Sequence, residues 1–302
     1  MTSTRQWIAG ARPRTLPAAL APVLVGTSVA MWDAEAIWER ALLALVVALA
    51  LQVGVNYAND YSDGVRGTDA QRVGPVRLVG QGLAEPAAVK RAAVLAFALA
   101  GVAGLALVAL SGLWWLLLVG AAAIAAAWTY TGGPRPYGYA GLGEVFVFLF
   151  FGLVAVGGTA AVQVGFVSAL AWISGVGVGA LSCAILVVNN LRDIPGDTIA
   201  GKRTLAVRIG DHSTRRLYAA LVGVALAIPA AIGALGLASP TVWPAAALLG
   251  LGAIPLAIQP LQDVRRGARG PALVAVLVST GRLLLAYGVL LAAGIAFGAL
   301  TA

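Results

Sequence analysis

The 302-residue chain is poor in charged residues and contains one cysteine and one histidine. Only 11% of its residues are charged, against about 25% in an average soluble domain. Cys183 alone excludes a disulfide framework and a cysteine-ligated zinc site, and His212 alone excludes a site that needs two histidines. Hydrophobic residues make up 60% of the chain, and the mean hydropathy is +0.91. These values exclude a soluble globular protein, a disordered tail and a fibrous repeat, and they favour a polytopic membrane protein.

Long uncharged stretches predict where the chain crosses the membrane. Three of them are Ala92–Pro134, Val145–Leu191 and Leu217–Gln262. A bilayer needs about 20 apolar residues per helix, so each stretch suits two helices. The predicted breaks are Ser111-Gly112, Gln163 to Gly165 and Gly236 to Pro240. The remaining spans are Leu16–Trp32, Ala41–Ala58 and the segment from Pro271 to the C-terminus. The sequence therefore predicts an all-α polytopic membrane protein, with nine transmembrane helices around a central cavity in one domain, residues 1–302.

The basic residues predict the orientation of these helices. With nine spans, all of the 20 basic residues except Arg40 and the intramembrane Arg282 fall at the N-terminus or in the loops after helices 2, 4, 6 and 8. Basic loops remain in the cytoplasm, so this side is expected to be cytoplasmic in the cell membrane. The net charge of +8 then reflects loops that face anionic lipid headgroups, and no nucleic-acid partner is expected.

Two acidic motifs at predicted helix ends share one spacing. Val-Asn-x-x-x-Asp occurs at Val55–Asp60 and again at Val188–Asp193. This weak internal repeat indicates two related halves that face each other across a cavity. On helix 2, the polar positions at i, i+3, i+4 and i+7 are Asn56, Asn59, Asp60 and Asp63. On helix 6, the corresponding positions at i, i+4 and i+8 are Asn189, Asp193 and Asp197.

The side chains of these motifs suit a hard divalent cation. Four carboxylates at one membrane surface would repel each other unless cations lay between them. Carboxylate and amide oxygens favour Mg²⁺ over zinc, and Mg²⁺ commonly bridges to substrate phosphates. Lys202 and Arg203 follow the second motif and are expected to contact phosphate oxygens. A single loop aspartate would more often be a solvated residue or a helix cap, but two clusters in a chain with 12 acidic residues favour the metal site.

Two further arginines are candidates for anion contacts. Arg135 lies between Tyr130 and Tyr137 at the end of helix 4, where it would bind diphosphate or a substrate carboxylate, or serve as an ordinary topological anchor. The same two interpretations apply to Arg14 before helix 1, which is the preferred substrate contact of the N-terminal segment.

The motifs resemble those of the UbiA superfamily of intramembrane prenyltransferases. Asn59, Asp60 and Asp63, followed by Asp69, resemble its Asn-Asp-x-x-Asp signature, and Asp193 with Asp197 resembles its Asp-x-x-x-Asp signature. The chain is more similar still to the 1,4-dihydroxy-2-naphthoate polyprenyltransferases of menaquinone synthesis, especially those of actinobacterial type. The segments that carry this similarity are Ala11–Pro17, Asn59–Asp69, Arg135–Gly143, Asn189–Asp193 and Gly201–Gly210.

This resemblance implies a reaction and a set of site residues. A polyprenyl diphosphate would bind through two Mg²⁺ ions, its allylic C–O bond would ionise, and 1,4-dihydroxy-2-naphthoate would attack with loss of its carboxylate, giving demethylmenaquinone. Asp63 and Asp193 would be catalytic. The implied metal ligands are Asn59, Asp60, Asp63, Asp69, Asp193 and Asp197. The implied substrate contacts are Arg14, Arg135, Asn189, Lys202 and Arg203.

Three other functions are alternatives. A UbiA-type enzyme with another aromatic acceptor, such as 4-hydroxybenzoate, would have the same acidic motifs. A CDP-alcohol phosphotransferase matches at Asp60–Gly64, but Val65-Arg66 departs from its signature and no Asp-x-x-x-Asp follows nearby. A transporter is disfavoured because the acids lie at helix ends on one face rather than at the midplane.

The predicted topology is testable by cysteine labelling. We expect cysteines introduced at Thr2 and at Ala302 to show opposite accessibility to an impermeant reagent, because nine spans place the two termini on opposite sides. Labelling of both positions from the same side would contradict the predicted orientation.

Overall fold

The computed structural model describes residues 2–67 and 76–301, and in these ranges all regular structure is helical. A short amino-terminal helix, Thr4–Gly10, precedes the bundle. The bundle helices are α1 (Pro17–Asp33), α2 (Trp38–Val65), α3 (Pro86–Ser111), α4 (Leu116–Thr129), α5 (Gly143–Val164), α6 (Ala169–Ile199), α7 (Leu205–Ala238), α8 (Ala245–Arg265) and α9 (Pro271–Thr301).

The helices of the described ranges agree with a multi-pass membrane protein. Seven of them are long and apolar enough to cross a bilayer, and α1 reaches this length together with the preceding Thr4–Thr15, across a bend of 49°. The remaining bundle helix, α4, has 14 residues. Its length of about 21 Å is less than the roughly 30 Å of a bilayer's hydrocarbon core. The predicted all-α fold is therefore confirmed, with one helix shorter than a full span.

Local sequence sets the ends of several helices. Proline occupies the first position of α1, α3 and α9, where a missing N–H costs no helical hydrogen bond. At the other end, Gly112 and Gly165 take left-handed conformations with φ of 73° and 90° after α3 and α5. The two turns lie at predicted breaks of the uncharged stretches, so these breaks are confirmed.

Helix α6 is the central element of the bundle. In its most apolar window 72% of residues are buried, against 44% or less in the other membrane-length helices. It packs on α5, α7 and α9. At the contact with α5, a Cβ on Gly152 would lie 2.6 Å from the Cα of Gly179, so only glycine allows this approach. α6 also continues through Pro195 and Gly196 to Ile199, which brings the whole second acidic motif onto one helix.

Two groups of helices enclose the functional cavity. The larger apolar core involves α1 and α5–α9. A smaller core joins α2, α3 and α4 to residues 76–84. The two groups meet along α1, α2, α3 and α5, where Val23, Ala44, Leu107 and Val162 form a third cluster.

Arg40, one of the two basic residues outside the predicted cytoplasmic side, connects helix ends. Its guanidinium donates to the Val162 carbonyl at 2.8 Å and to the Leu110 carbonyl at 2.6 Å. Both acceptors lie in the last turns of α5 and α3, where carbonyls lack helical partners and a cation is favoured. This contact gives Arg40 a structural reason to depart from the charge asymmetry. Arg282, the other exception, is exposed on α9.

Candidate active site

A cavity of about 590 Å³ lies between the two groups of helices. Most of its wall is apolar, with many alanine, glycine, valine and leucine residues from α1–α6. Its polar end is formed where α2 and α6 terminate, and it comprises Asn59, Asp63, Asn189, Asp197 and Lys202. Each acidic motif therefore contributes one aspartate of the described residues to the same cavity, Asp63 from the first motif and Asp197 from the second.

Helix α2 contributes three motif residues to the cavity wall: Asn56, Asn59 and Asp63. All three are buried. The side-chain oxygen of Asn59 accepts a hydrogen bond of 2.8 Å from the Thr131 hydroxyl. The helix thus runs without interruption through the first motif and presents residues from successive turns to the cavity.

Asp60 is directed away from this wall. It is fully buried, and its two carboxylate oxygens accept hydrogen bonds from the backbone amides of Leu78 at 2.7 Å and Val79 at 3.1 Å. Successive residues of an α-helix are rotated by about 100° around its axis. The Asp60 side chain therefore leaves the helix in a different direction from that of Asn59. In this structure Asp60 anchors the segment after α2, and its metal-binding role stays a prediction. Asp69, another predicted ligand, lies outside the described residues.

Asp63 and Lys202 form an ion pair that joins α2 to the segment after α6. The Lys202 ammonium lies 3.1 Å from the Asp63 carboxylate, and both side chains are buried. The Tyr139 hydroxyl donates to the same carboxylate oxygen at 2.5 Å. Lys202 also lies 4.6 Å from the centre of the Tyr139 ring, and the Arg66 guanidinium 5.4 Å from it. Burial, and then the Asp63 charge, raise the pKa of Tyr139, so this residue is a neutral donor at pH 7.

Asp193 and Asp197 have different surroundings on α6. Asp197 is buried and lines the cavity. Asp193 lies one turn earlier and is held by Arg192, whose guanidinium donates to both carboxylate oxygens at 2.7 Å. Arg192 also donates to the Asn189 side-chain oxygen at 2.9 Å. The Arg192–Asp193 ion pair lowers the charge repulsion between Asp193 and Asp197. The acidic motif alone does not predict this ion pair.

Three predicted arginine contacts lie outside the cavity wall. Arg14, Arg135 and Arg203 are exposed in the structure, whereas the cavity-lining arginines of the described residues are Arg12 and Arg77. Arg12 adopts a left-handed conformation with φ of 54° just before Pro13. That backbone geometry turns Arg12, rather than Arg14, toward the cavity, and no sequence signal distinguishes the two. The substrate roles of Arg14, Arg135 and Arg203 stay predictions.

An aromatic wall extends from the polar end into the apolar part of the cavity. It consists of Tyr130, Tyr137, Phe146 and Phe150, all of which line the cavity. The ring centres of Tyr137 and Phe146 are 4.1 Å apart, and those of Phe146 and Phe150 are 6.2 Å apart. Two of these rings belong to α5 at i and i+4, a spacing by which sequence reasoning could have found them.

The residues at the polar end fit a hard divalent cation. Within residues 2–67 and 76–301 no group of three or more His, Cys, Asp or Glu side chains is gathered, because Asp60 faces the loop and Asp193 faces Arg192. Asn59, Asp63 and Asp197 nevertheless present amide and carboxylate oxygens to one cavity. This donor set suits Mg²⁺ and does not suit zinc.

The anchoring role of Asp60 is testable by an isosteric change. In Asp60→Asn an amide NH₂ would face a backbone N–H of Leu78 or Val79, so one charge-assisted hydrogen bond is lost. We expect the free energy of unfolding to fall by about 1–3 kcal/mol, seen as a lower melting temperature in detergent. Glu85→Gln, which removes the same charge from an exposed position, is the control. An unchanged melting temperature would contradict the anchoring role, whereas an altered Mg²⁺ requirement would support the predicted metal-binding role of Asp60.

Comparisons with known proteins agree with this geometry. Residues 19–272 match the model of the UbiA prenyltransferase family. The 1,4-dihydroxy-2-naphthoate octaprenyltransferase of Mycobacterium tuberculosis is 53% identical over 301 residues, covering 100% of both chains. The enzyme of the same name from Escherichia coli is 41% identical over 228 residues, 74% of each chain.

A solved structure shows the same fold. It is a UbiA homolog from Archaeoglobus fulgidus bound to GPP and Mg²⁺, with a TM-score of 0.66 and 15% identity over 95% of this chain and 99% of that one. The family match spans most of the chain, including both acidic motifs. The resemblance predicted from the motifs is thereby confirmed, and the chain belongs to the UbiA prenyltransferase family.

Proposed function

We propose that this protein transfers a polyprenyl group from a polyprenyl diphosphate to 1,4-dihydroxy-2-naphthoate, with loss of the carboxylate, to give demethylmenaquinone. One observation carries the proposal: the end-to-end match, at 53% identity, to a protein named 1,4-dihydroxy-2-naphthoate octaprenyltransferase. The cavity supports it, because a polar end rich in oxygen ligands continues into a long apolar wall. A polyprenyl diphosphate likewise has a polar diphosphate head and an apolar isoprenoid tail.

Acids from both halves of the chain would hold the diphosphate through Mg²⁺. The proposed ligands are Asn59, Asp60, Asp63 and Asp69 from the first motif, and Asp193 and Asp197 from the second. When bound, Mg²⁺ neutralises the charge that develops on the leaving diphosphate. Asp63 and Asp193 are proposed as the catalytic carboxylates. Each would stabilise the leaving diphosphate from its own half of the chain.

Lys202 is proposed to bind the diphosphate directly. Its ammonium already lies at the polar end, 3.1 Å from Asp63 and against the Tyr139 ring. A flexible lysine can exchange this carboxylate for a phosphate oxygen without leaving the site. Asn189, which also lines the cavity, is proposed as a second contact to the substrate.

The apolar wall would hold the tail and protect the reacting carbon. The aromatic wall of Tyr130, Tyr137, Phe146 and Phe150 faces the cavity next to the polar end. Aromatic faces attract a cation such as the allylic carbon after ionisation, and they exclude the water that would otherwise capture it. The naphthalenediol would then be the nearest nucleophile.

The charge asymmetry supports an active site that opens to the cytoplasm. The chain is a multi-pass membrane protein, and the polar end of its cavity lies on the side that carries nearly all basic residues. We therefore propose a cell-membrane location with the N-terminus and the motif loops in the cytoplasm. Both substrates carry negative charge, so the same basic residues favour their approach.

The acceptor is testable with the purified protein in detergent or with isolated membranes. We expect diphosphate release and a prenylated naphthalenediol when one polyprenyl diphosphate is supplied with 1,4-dihydroxy-2-naphthoate and Mg²⁺, and little product with 4-hydroxybenzoate. Product from 4-hydroxybenzoate alone would keep prenyl transfer but overturn the acceptor. Absence of diphosphate release with either acceptor would overturn the proposed reaction.

Isosteric variants test the shared diphosphate site. Each of Asp63→Asn and Asp193→Asn removes one charge that supports the leaving group, which costs about 3–4 kcal/mol, or roughly 10²–10³ in rate. The double variant should lose less than the product of the two single losses, because both acids act on one leaving group. Lys202→Met should raise KM for the prenyl diphosphate more than KM for the naphthoate.

Folding controls keep this test interpretable, because Asp63→Asn leaves the buried Lys202 cation without its carboxylate. Each variant is compared with Glu35→Gln, an exposed change at the other end of the bundle, for insertion and melting temperature. Near wild-type turnover at limiting Mg²⁺ in a folded Asp63→Asn or Asp193→Asn would exclude the shared site.

A further inference from the structure

The cavity extends far beyond its polar end. Residues from successive turns of α2 line it from Asp63 back to Ala44, which is about 28 Å along the helix axis. At the end remote from Asp63 it is bounded by Val23, Leu107 and Val162, which form one apolar cluster with Ala44. We call the part of the cavity next to this cluster the deep end. A bilayer's hydrocarbon core is about 30 Å thick, so the cavity is nearly as long as the core is thick.

Two glycines line the deep end, Gly120 on α4 and Gly158 on α5. The residues four positions before and after each glycine also line the cavity: Leu116, Ile124, Val154 and Val162. Residues four apart share one face of a helix, so each glycine lies in the middle of the cavity face of its helix. Leu116 packs against the apolar cluster and Val162 belongs to it, which places both glycines about one helical turn from the bottom of the cavity.

Neither backbone conformation nor helix packing requires glycine at these two positions. Both residues lie inside helices, and neither has a positive φ. Among the described residues, a Cβ on Gly120 or Gly158 would have no neighbouring atom within 4 Å outside the backbone of its own helix. This differs from Gly152 on the same helix as Gly158, where a Cβ would lie 2.6 Å from the Cα of Gly179. Glycine is less favourable than alanine inside a helix, so what Gly120 and Gly158 provide is open space in the cavity.

The distance from the aromatic wall decides which part of a substrate would reach these glycines. Gly120 lies ten residues before Tyr130, and Gly158 lies twelve residues after Phe146. These separations correspond to about 15 to 18 Å along the two helix axes. With the reacting carbon at the aromatic wall, a geranyl chain is shorter than this distance, whereas a geranylgeranyl chain is twice as long and reaches the deep end. The distal isoprene units of a long donor are therefore the groups that would occupy the space beside the glycines.

We propose that Gly120 and Gly158 determine the length of the prenyl chain that the enzyme accepts, because they keep the deep end open for the distal isoprene units. This inference rests on the proposed function. A larger side chain at either position would fill the space that a long tail needs, and a short tail would end before reaching it. Both glycines are remote from the polar end, so they would select the prenyl donor without contacting its diphosphate.

The test compares two donors in Gly120→Leu and Gly158→Leu, each assayed as the full-length protein with 1,4-dihydroxy-2-naphthoate and Mg²⁺. The measured quantity is kcat/KM for geranylgeranyl diphosphate divided by kcat/KM for geranyl diphosphate. We expect this ratio to fall about tenfold or more in each variant, since a single methylene in an apolar pocket already changes discrimination by about tenfold. A loss of folded protein lowers both values equally and leaves the ratio unchanged, so the ratio reports the chain length alone.

Gly223→Leu is the matched control. Gly223 lies inside α7, and among the described residues a Cβ there would also have open space, but the residue does not line the cavity. This variant should keep the wild-type ratio. A wild-type ratio in either cavity variant, or an equal fall in Gly223→Leu, would overturn the inference.

Two further outcomes are separated from these. If a leucine variant fails to insert, methionine at the same position takes its place, because this side chain is similarly large and adapts its shape. The same fall in the ratio is then expected. Absence of prenyl transfer by the wild type with both donors would instead overturn the proposed function.

Discussion

Opposite charges that meet across the cavity organise the whole site. Asp63 on α2 and Lys202 after α6 are both buried, and 3.1 Å separates their charged atoms. Buried charges are costly unless they are paired. The two halves of the chain must therefore come together for either charge to be accommodated, and Tyr139 and Arg66 extend the same cluster. The Arg192–Asp193 pair fulfils the same requirement on α6.

The shape of the polar end depends on the backbone elements that position these charged side chains. Asp60 ties the segment after α2 to the helix through two backbone amides, which keeps its neighbour Asp63 at the mouth of the cavity. On α6, the unbroken helix through Pro195 brings Asp197 to the opposite wall. Below them the wall becomes apolar and aromatic. A charged head and a lipid tail can therefore share one cavity inside a membrane.

The sequence predicts the helices well because a bilayer leaves few choices. Backbone polar groups in lipid must be satisfied within a helix, so apolar runs and glycine breaks such as Gly112 and Gly165 determine most of the bundle. It also predicts that Asp63 and Asp197 face a common space, since both lie on helices of known period. The directions of Asp60 and Arg12 are less accessible to sequence reasoning. The direction of Asp60 depends on amides 18 and 19 residues away in the chain, and that of Arg12 on one left-handed backbone conformation before Pro13.

The proposed mechanism requires acids from the two halves of the chain to hold one diphosphate through divalent cations. Equilibrium binding of an unreactive prenyl thiolodiphosphate to the purified protein tests this requirement without depending on turnover. We expect tight binding in Mg²⁺, loss of binding in chelator, and weaker Mg²⁺-dependent binding in both Asp63→Asn and Asp197→Asn. Equally tight binding in chelator, or weakening in only one of the two folded variants, would exclude a diphosphate shared by the two halves.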